Sequence, residues 1–210
     1  MHSDESTLPD DADDTLLVAG YRDDGSLDEY IVRHLDDPDA RRRVLALRAA
    51  QRRGLISDGS WRAALTDADV DVRRESLTLI AAATQVDPSL LSLVVAALHD
   101  HDALVVDAAA FAVGEHLHVA AIEELITVAT GHDDARCRES AIAALGAIGD
   151  DRARPAIIGA LEDRPAVRRR AIVALANFEG PDIDAALARA SEDRDWQVRA
   201  AVDQLSRDEE

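Results

Sequence analysis

The sequence contains no lysine, a single cysteine and very few aromatic residues. Its 23 basic residues are all arginine and face 42 acidic ones, so the formal net charge at pH 7 is −19. A surface this acidic argues against binding to the phosphates of nucleic acids. The lone cysteine, Cys137, excludes an intrachain disulfide. Because aromatic residues make up only 3% of the chain, a core has to be built from Ala, Leu, Val and Ile.

Long apolar runs are also missing from the sequence. No window approaches the roughly 20 consecutive apolar residues that a membrane-spanning helix needs, so we expect no membrane association. The opening stretch, MHSDESTLPDDADD, is acidic where a secretory signal carries positive charge. We therefore expect a cytoplasmic protein with a disordered acidic tail over residues 1–14. Residues 15–26 are expected to add a capping segment, and residues 206–210 a charged C-terminal tail.

A repeated pattern of alanine, leucine and valine fills most of the chain. CRESAIAALGAIGD at 137–150 and VRRRAIVALANFEG at 167–180 share apolar residues four, seven and eight positions after the opening one. This spacing is typical of one face of a helix. The same pattern begins at residues 40, 72, 105, 137, 167 and 198. A shorter apolar segment and an Asp-rich turn precede each opening residue, which indicates a helix, a tight turn and a second helix in each repeat.

The stretches VRRESLTLIAAA, CRESAIAALGAIGDDRARPAIIGAL and VRRRAIVALA resemble HEAT repeats. They are most similar to the HEAT-like type first associated with phycobilisome lyases. Over residues 27–205 the resemblance implies an all-α fold, an α-solenoid (superhelix) of about six helical hairpins. Such hairpins stack because none of them can bury its apolar face alone. This fold hosts many roles, so the resemblance is informative about architecture and much less so about activity.

Charged residues recur beside the opening position of each repeat. The arginines that follow it are Arg41, Arg73, Arg138, Arg168 and Arg199, and the aspartates three residues before it are Asp37, Asp69, Asp102, Asp134 and Asp195. In HEAT repeats such residues form a ladder that joins adjacent hairpins, and the resemblance implies the same arrangement here. The third repeat departs from the pattern, because Val106 stands in place of its arginine.

A partner-binding face follows from the same resemblance, since the second helix of each hairpin lines the concave surface in that family. The sixth position after each opening residue then faces the groove; these residues are Ala46, Thr78, Phe111, Ala143, Val173 and Gln204. We predict a shallow apolar trough with a central aromatic residue and arginines near its ends. Its partner-binding residues are Phe111, Val173, Arg42, Arg43, Arg169 and Arg170. Such a trough suits a protein or peptide with acidic segments, although Phe111 is equally compatible with a place between helices in the core.

The histidine-rich turns offer an alternative chemistry. His99, His101 and His132 occupy corresponding turns of the third and fourth repeats, near Asp100, Asp102 and Asp133. Imidazole and carboxylate ligands of this kind are compatible with a metal site. The other interpretation is that they are exposed turn residues, which we favour, so no metal or other cofactor is predicted.

Catalytic patterns are sparse. Deoxyhypusine hydroxylases share this repeat and place a His-Glu pair two and three positions after the opening residue, and none of the six repeats has that pair. Cys137 stands where other repeats have valine, so we expect it to be a buried core residue. The sequence therefore predicts a non-catalytic interaction scaffold. The alternative is an enzyme or enzyme accessory, either a pigment-lyase-like chaperone or a metalloprotein that uses the His99–His132 turns.

Overall fold

Helices make up all of the regular structure in residues 11–22 and 25–208, which are the residues that the computed structural model describes. The α-helices in these ranges are α1 (Ala12–Ala19), α2 (Asp28–Arg33), α3 (Ala40–Arg53), α4 (Asp58–Leu65), α5 (Val70–Ala81), α6 (Pro88–Ala96), α7 (Ala103–Glu115), α8 (Ile122–Gly131), α9 (Ala135–Ile148), α10 (Arg154–Gly159), α11 (Pro165–Leu175), α12 (Pro181–Ala190) and α13 (Trp196–Asp208). Within these ranges there is no strand, so the all-α prediction is confirmed.

Twelve of these helices form six successive hairpins, from α2–α3 to α12–α13. The first helix of each hairpin has 6 to 10 residues and the second has 11 to 14. Short 3-10 turns extend several of the first helices, as at Ala97–His99 and Ala160–Glu162. The predicted number of hairpins is therefore confirmed. None of the helices in the described residues is long and apolar enough to cross a membrane.

The chain divides into two compact units, residues 1–79 and residues 80–210. The first unit holds α1–α4 and most of α5. In it, α1 packs against α3, and Leu16 joins Leu45 and Ala46 in an apolar cluster. The second unit holds the remaining helices, in which α7, α9, α11 and α13 pack successively against one another.

Aspartate side chains start most of the longer helices. Asp39, Asp102 and Asp134 each accept a hydrogen bond from the backbone N–H two residues further on, at 2.8–2.9 Å. Asp69 and Asp195 do the same for α5 and α13. A carboxylate satisfies one of the free N–H groups at a helix N-terminus and lies at the positive end of the helix dipole. These five of the 42 acidic residues therefore serve to begin helices.

The repeat pattern matches the observed core in the second unit. The opening residues Val105, Cys137, Val167 and Val198 are completely buried. Ala109, Ala141 and Ala171, four positions later, are completely buried as well.

The first repeat is shifted by two residues from the predicted frame. The most buried residues of α3 are Ala46, Leu47, Ala49 and Ala50. Of these, Ala46, Ala49 and Ala50 lie four, seven and eight positions after Arg42 and not after Ala40. Val44 and Leu47 satisfy the same spacing from Ala40, and this match produced the wrong frame. The true opening position is Arg42. An arginine is accommodated there because the Arg42 side chain contacts Asp13 of α1 and not the core.

Helices extend at both ends beyond residues 27–205, the predicted repeat domain. Asp11 accepts a hydrogen bond from the N–H of Asp13 and begins α1 at Ala12, inside the segment expected to be a tail. Residues 1–10 of that segment lie outside the described residues. At the other end, α13 continues to Asp208.

Candidate partner-binding site

An arginine near the start of the longer helices binds the turn of the following hairpin. Arg138 donates two hydrogen bonds to the Asp163 carboxylate at 2.6 and 2.7 Å, and Arg168 donates two to Asp193 at 2.8 Å each. Arg43 binds Asp67 in the same bidentate way, at 2.8 and 2.7 Å. Paired hydrogen bonds between a guanidinium and a carboxylate are among the stronger ones in proteins. They lower the pKa of Asp163 and Asp193 below the ordinary value for aspartate.

Some residues of this ladder differ from those that the sequence predicted. In the first hairpin the arginine is Arg43, whereas Arg41 is largely exposed and lies 3.3 Å from Asp13. The carboxylates are also different, because Asp69, Asp102, Asp134 and Asp195 begin helices. The ladder carboxylates Asp67 and Asp193 lie two residues before the capping aspartate, and Asp163 lies one residue before Arg164. Arg43, predicted as a partner-binding residue, is therefore occupied within its own unit.

The ladder is interrupted between α7 and the next hairpin. Val106 is completely buried at the arginine position, and His132 stands where the following turn would otherwise have its aspartate. The Nδ1 atom of His132 accepts the backbone N–H of Asp134 at 3.1 Å, as the Asp67 carboxylate does for Asp69. Both partners of this ion pair are thus absent together, so no charge is left buried without a partner.

The predicted row of groove residues is exposed in the second unit. Phe111 is 54% exposed and Val173 is 56% exposed, and Gln204 is exposed as well. The alternative placement of Phe111 between helices is therefore wrong. Ala46 was also predicted to face the groove and is completely buried, because of the shifted frame of the first repeat.

A trough runs between α7 and α9 in the second unit. It is lined by Phe111, Gly114, Glu115, Glu139, Ser140, Ala143, Ala144, Ala147 and Arg170. A second depression lies between α11 and α13, and its lining includes Val173, Ala176 and Gln204. The lining of the trough combines small residues, mostly alanine and glycine, with the ring of Phe111 and several charged side chains.

Glycine brings these helices unusually close together. A Cβ atom on Gly114 would lie 3.0 Å from the backbone and side chain of Ala144. On Gly146 it would lie 2.5 Å from the Cβ atom of Ala174. Both distances are at or below the limit of real contacts, so only glycine allows α7 to approach α9, and α9 to approach α11, this closely. The close approach leaves the bottom of the trough free of bulky side chains.

Polar contacts cross the trough between successive helices. Ser140 donates a hydrogen bond from Oγ to Asp107 at 2.5 Å. The nearest nitrogen of Arg170 lies 3.5 Å from Glu139, which is long for a hydrogen bond. Glu115 is exposed at the end of α7. Sequence reasoning missed Glu115 and Glu139 as lining residues, although Glu115 lies ten positions after Val105, a spacing that also faces the groove.

The four predicted arginines all have partners. Arg42 donates from Nε to Asp13 at 3.1 Å, which raises the pKa of its guanidinium. Arg43 binds Asp67, as described above. In the second unit Arg169 donates to the side-chain oxygen of Gln197, and Arg170 lies beside Glu139. The structure therefore places Arg170 at the trough and gives the other three local roles.

The candidate metal residues are not brought together. His101 is almost fully exposed and lies 3.3 Å from Asp100, and His99 is exposed. The ring of His132 is engaged by the backbone of its own turn. Among residues 11–22 and 25–208, no group of three or more His, Cys, Asp or Glu side chains is placed to hold a metal ion.

Cys137 is a core residue. It is completely buried, and its thiol donates to the backbone oxygen of Ala103 at 3.1 Å. Burial, followed by the nearby Asp134 carboxylate, raises the pKa of the thiol to about 11. A thiol with this pKa is protonated at neutral pH and is a poor nucleophile.

Comparisons with known proteins are consistent with this geometry. The model of the family described as HEAT repeats matches residues 122–206. No curated protein sequence matches the chain. YibA of Escherichia coli has 18% sequence identity and a TM-score of 0.63, over 96% of this chain and 74% of YibA. A designed armadillo repeat protein in complex with the peptide (KR)4 has 16% identity and a TM-score of 0.62, over 87% of this chain and 98% of the designed one.

Human deoxyhypusine hydroxylase, solved in complex with glycerol, is a more distant match. Its sequence identity is 19% and its TM-score is 0.50, over 79% of this chain and 67% of the enzyme. At these identities the likenesses show the fold alone. They confirm the predicted α-solenoid of helical hairpins, a fold that HEAT and armadillo repeat proteins share, and they carry no information about activity.

Proposed function

We propose that the protein is a non-catalytic scaffold that binds a partner protein or peptide on α7, α9, α11 and α13. The observation that carries this proposal is the exposed ring of Phe111, at 54%, at a trough whose lining includes alanine and glycine. Exposed aromatic side chains beside a groove are typical anchors of protein interfaces.

The extended form of the surface also supports a peptide or helix as the ligand. The exposed residues Phe111 and Val173, with the partly exposed Ala143 between them in the repeat, occupy the same position of three successive longer helices. Successive helices present such residues at regular intervals, which suits a partner that also has a regular repeat. The designed armadillo protein of similar fold is in complex with the peptide (KR)4, so a related arrangement of helices does hold a peptide.

The competing functions gain no supporting observation. A pigment-lyase-like role, and membership of the phycobilisome-lyase branch of HEAT-like repeats, stay predictions from sequence resemblance. The histidine turns do not assemble into a metal site within the described residues, and Cys137 is buried and protonated at neutral pH. The expectation of acidic segments in the partner rested on arginines, of which Arg42, Arg43 and Arg169 are engaged locally.

The first prediction tests Phe111 as the anchor of the partner. The partner is identified by affinity capture from native lysate and mass spectrometry, and its affinity is then measured with purified proteins by calorimetry. We expect Phe111→Ala to weaken binding by about 2 kcal/mol, as truncation of an interface aromatic does. The melting temperature should change little, because the side chain is half exposed and its removal leaves no closed cavity.

Val32→Ala is the matched control for this test. Val32 is an exposed apolar residue, at 46%, on α2 of the first unit, and its truncation should leave the affinity unchanged. The proposal fails if Phe111→Ala binds the identified partner as tightly as the wild type. It also fails if Phe111→Ala unfolds the protein in the way that a core truncation does.

A further inference from the structure

The charges around the trough have a sign opposite to the one expected from the sequence. Among its described lining residues, Glu115 and Glu139 are acidic and Arg170 alone is basic. Asp107 accepts a hydrogen bond from the lining residue Ser140 and adds a third carboxylate close to the trough. The trough thus has an excess of negative charge on a protein whose net charge is already −19.

The guanidinium of Arg170 at the trough is partly compensated by a neighbouring carboxylate. Arg170 lies 3.5 Å from Glu139, and about half of its side chain surface is covered. Glu115 is exposed and stands on the same helix as Phe111, four residues further along. Residues four apart on a helix lie on the same face, so the Glu115 carboxylate and the Phe111 ring border the same part of the trough.

We infer that the trough between α7 and α9 accepts a cationic side chain, arginine or lysine, from the partner; this inference rests on the proposed function. The small lining residues Ala143 and Ala147 leave room for the aliphatic stem, which such side chains bury readily. The ring of Phe111 attracts the cationic group through its negative face, and the carboxylates of Glu115 and Glu139 accept its hydrogen bonds. The acidic surface as a whole attracts a basic partner over a longer range.

The test compares three synthetic peptides that differ at one residue. Fluorescein-labelled Gly-Ala-Leu-X-Leu-Ala-Gly amides carry arginine, its neutral isostere citrulline, or glutamate at X, and binding to the full-length protein is followed by anisotropy at low salt. We expect the arginine peptide to bind more tightly than the other two. We also expect the arginine peptide to perturb the Ala143 and Ala147 methyl signals in NMR spectra of alanine-methyl-labelled protein.

Variants of the protein distinguish binding at the trough from attraction to the overall negative charge of the protein. Phe111→Leu keeps the apolar volume and removes the ring, so it should weaken the arginine peptide about two- to fivefold and leave the citrulline peptide unchanged. Glu115→Gln should reduce the preference for arginine over citrulline. Glu192→Gln removes the same charge from an exposed position in the turn after α12 and should leave the preference intact.

Each outcome either supports or overturns the inference. Equal binding of the arginine and citrulline peptides, tighter binding of the glutamate peptide, or no binding of any peptide would overturn it. An equal loss of preference in Glu115→Gln and Glu192→Gln would also overturn it, since only net charge would then matter. The proposed function fails separately, when Phe111→Ala leaves the affinity for the natural partner unchanged.

Discussion

At the scale of single residues, the end of α7 shows a strained position. Gly54 after α3 and Gly149 after α9 adopt a left-handed backbone, with φ of 66° and 68°. Leu117 occupies the corresponding position after α7 with φ of 47° and is the only non-glycine residue with positive φ in the described ranges. The backbone N–H of His118 donates to the Val113 oxygen at 3.2 Å, so the helix closes in the same way with an unfavourable residue.

We predict that Leu117→Gly stabilises the protein. A side chain in the left-handed region costs about 1–2 kcal/mol, and part of this gain is lost because glycine is more flexible in the unfolded chain. Leu117 is 56% exposed, so little apolar burial is lost. We therefore expect the free energy of unfolding, measured with urea, to rise by about 0.5–1 kcal/mol. Leu117→Ala keeps the strained backbone and should give no increase; a gain in both variants would contradict the strain argument.

At the scale of elements, close contact between helices depends on glycine. In Gly146→Ala the added methyl group would lie 2.5 Å from the Ala174 Cβ atom, so α9 and α11 have to separate. Alanine is the better helix former by about 1 kcal/mol, but overpacking of this kind costs about 1–3 kcal/mol. We predict a net loss of stability in thermal unfolding.

The control for this prediction is Gly159→Ala in α10. A Cβ atom there meets no atom within 4 Å, and the backbone is helical, with φ of −61°. This variant should keep the wild-type melting temperature or raise it. If Gly146→Ala and Gly159→Ala had the same effect, close packing at Gly146 would not be the cause.

The interruption of the ladder between α7 and the next hairpin leads to a second prediction at the scale of elements. Val106→Arg places a guanidinium at a buried position opposite His132, where it lacks a carboxylate, and we expect a loss of about 3 kcal/mol or more. His132→Asp in the same chain restores the arrangement of Arg138 with Asp163, so the double variant should recover more than half of that loss. Urea unfolding of the two single variants and the double variant measures this coupling. Additive effects would show that the missing ion pair cannot be rebuilt at this turn.

The hairpins were predictable from the sequence, whereas the exact frame of the repeat was not predictable in every hairpin. Helical spacing of buried alanine, leucine and valine is strong in the second unit, where Val105, Cys137, Val167 and Val198 are all buried as predicted. In α3 the apolar residues fit two frames, and the arginine at the true opening position hid the correct one. Arg43 identifies the frame only through its contact with Asp67, which lies 24 residues away and is invisible to local patterns.

At the scale of the whole molecule, the exposure of residues along the trough was predictable from the sequence, whereas the charge around the trough was not. Exposure of Phe111 and Val173 follows from helical periodicity, and the sequence placed both correctly. The charge of the trough depends on which arginines are already engaged by carboxylates. Those pairings join residues about 25 positions apart, such as Arg138 with Asp163, so the arrangement of helices decides them.

Acidic pH should destabilise the protein through the ladder. The bidentate hydrogen bonds from Arg138 and Arg168 hold the pKa of Asp163 and Asp193 below the ordinary value. A carboxyl whose pKa is lower in the folded state contributes stability that is present above its unfolded pKa, near 4. This stability is lost as pH falls through the folded pKa, because the unfolded chain then binds the proton more readily. We predict that the free energy of unfolding, measured with urea, falls from pH 5 to pH 2.

The variant Asp193→Asn separates the contribution of one ladder ion pair to the acid sensitivity from the contribution of the overall charge. Protonation of the 42 acidic residues also leaves the 23 arginines and 7 histidines uncompensated below the isoelectric point of about 4.6, and the resulting positive repulsion destabilises the compact state as well. Because Asp193→Asn lacks the carboxylate that binds Arg168, it should start less stable at pH 7 and lose less between pH 5 and pH 2. Asp184→Asn removes an exposed carboxylate of α12 and should follow the wild-type curve. If both variants showed the wild-type loss, repulsion and other carboxylates, and not the ladder, would determine the acid sensitivity.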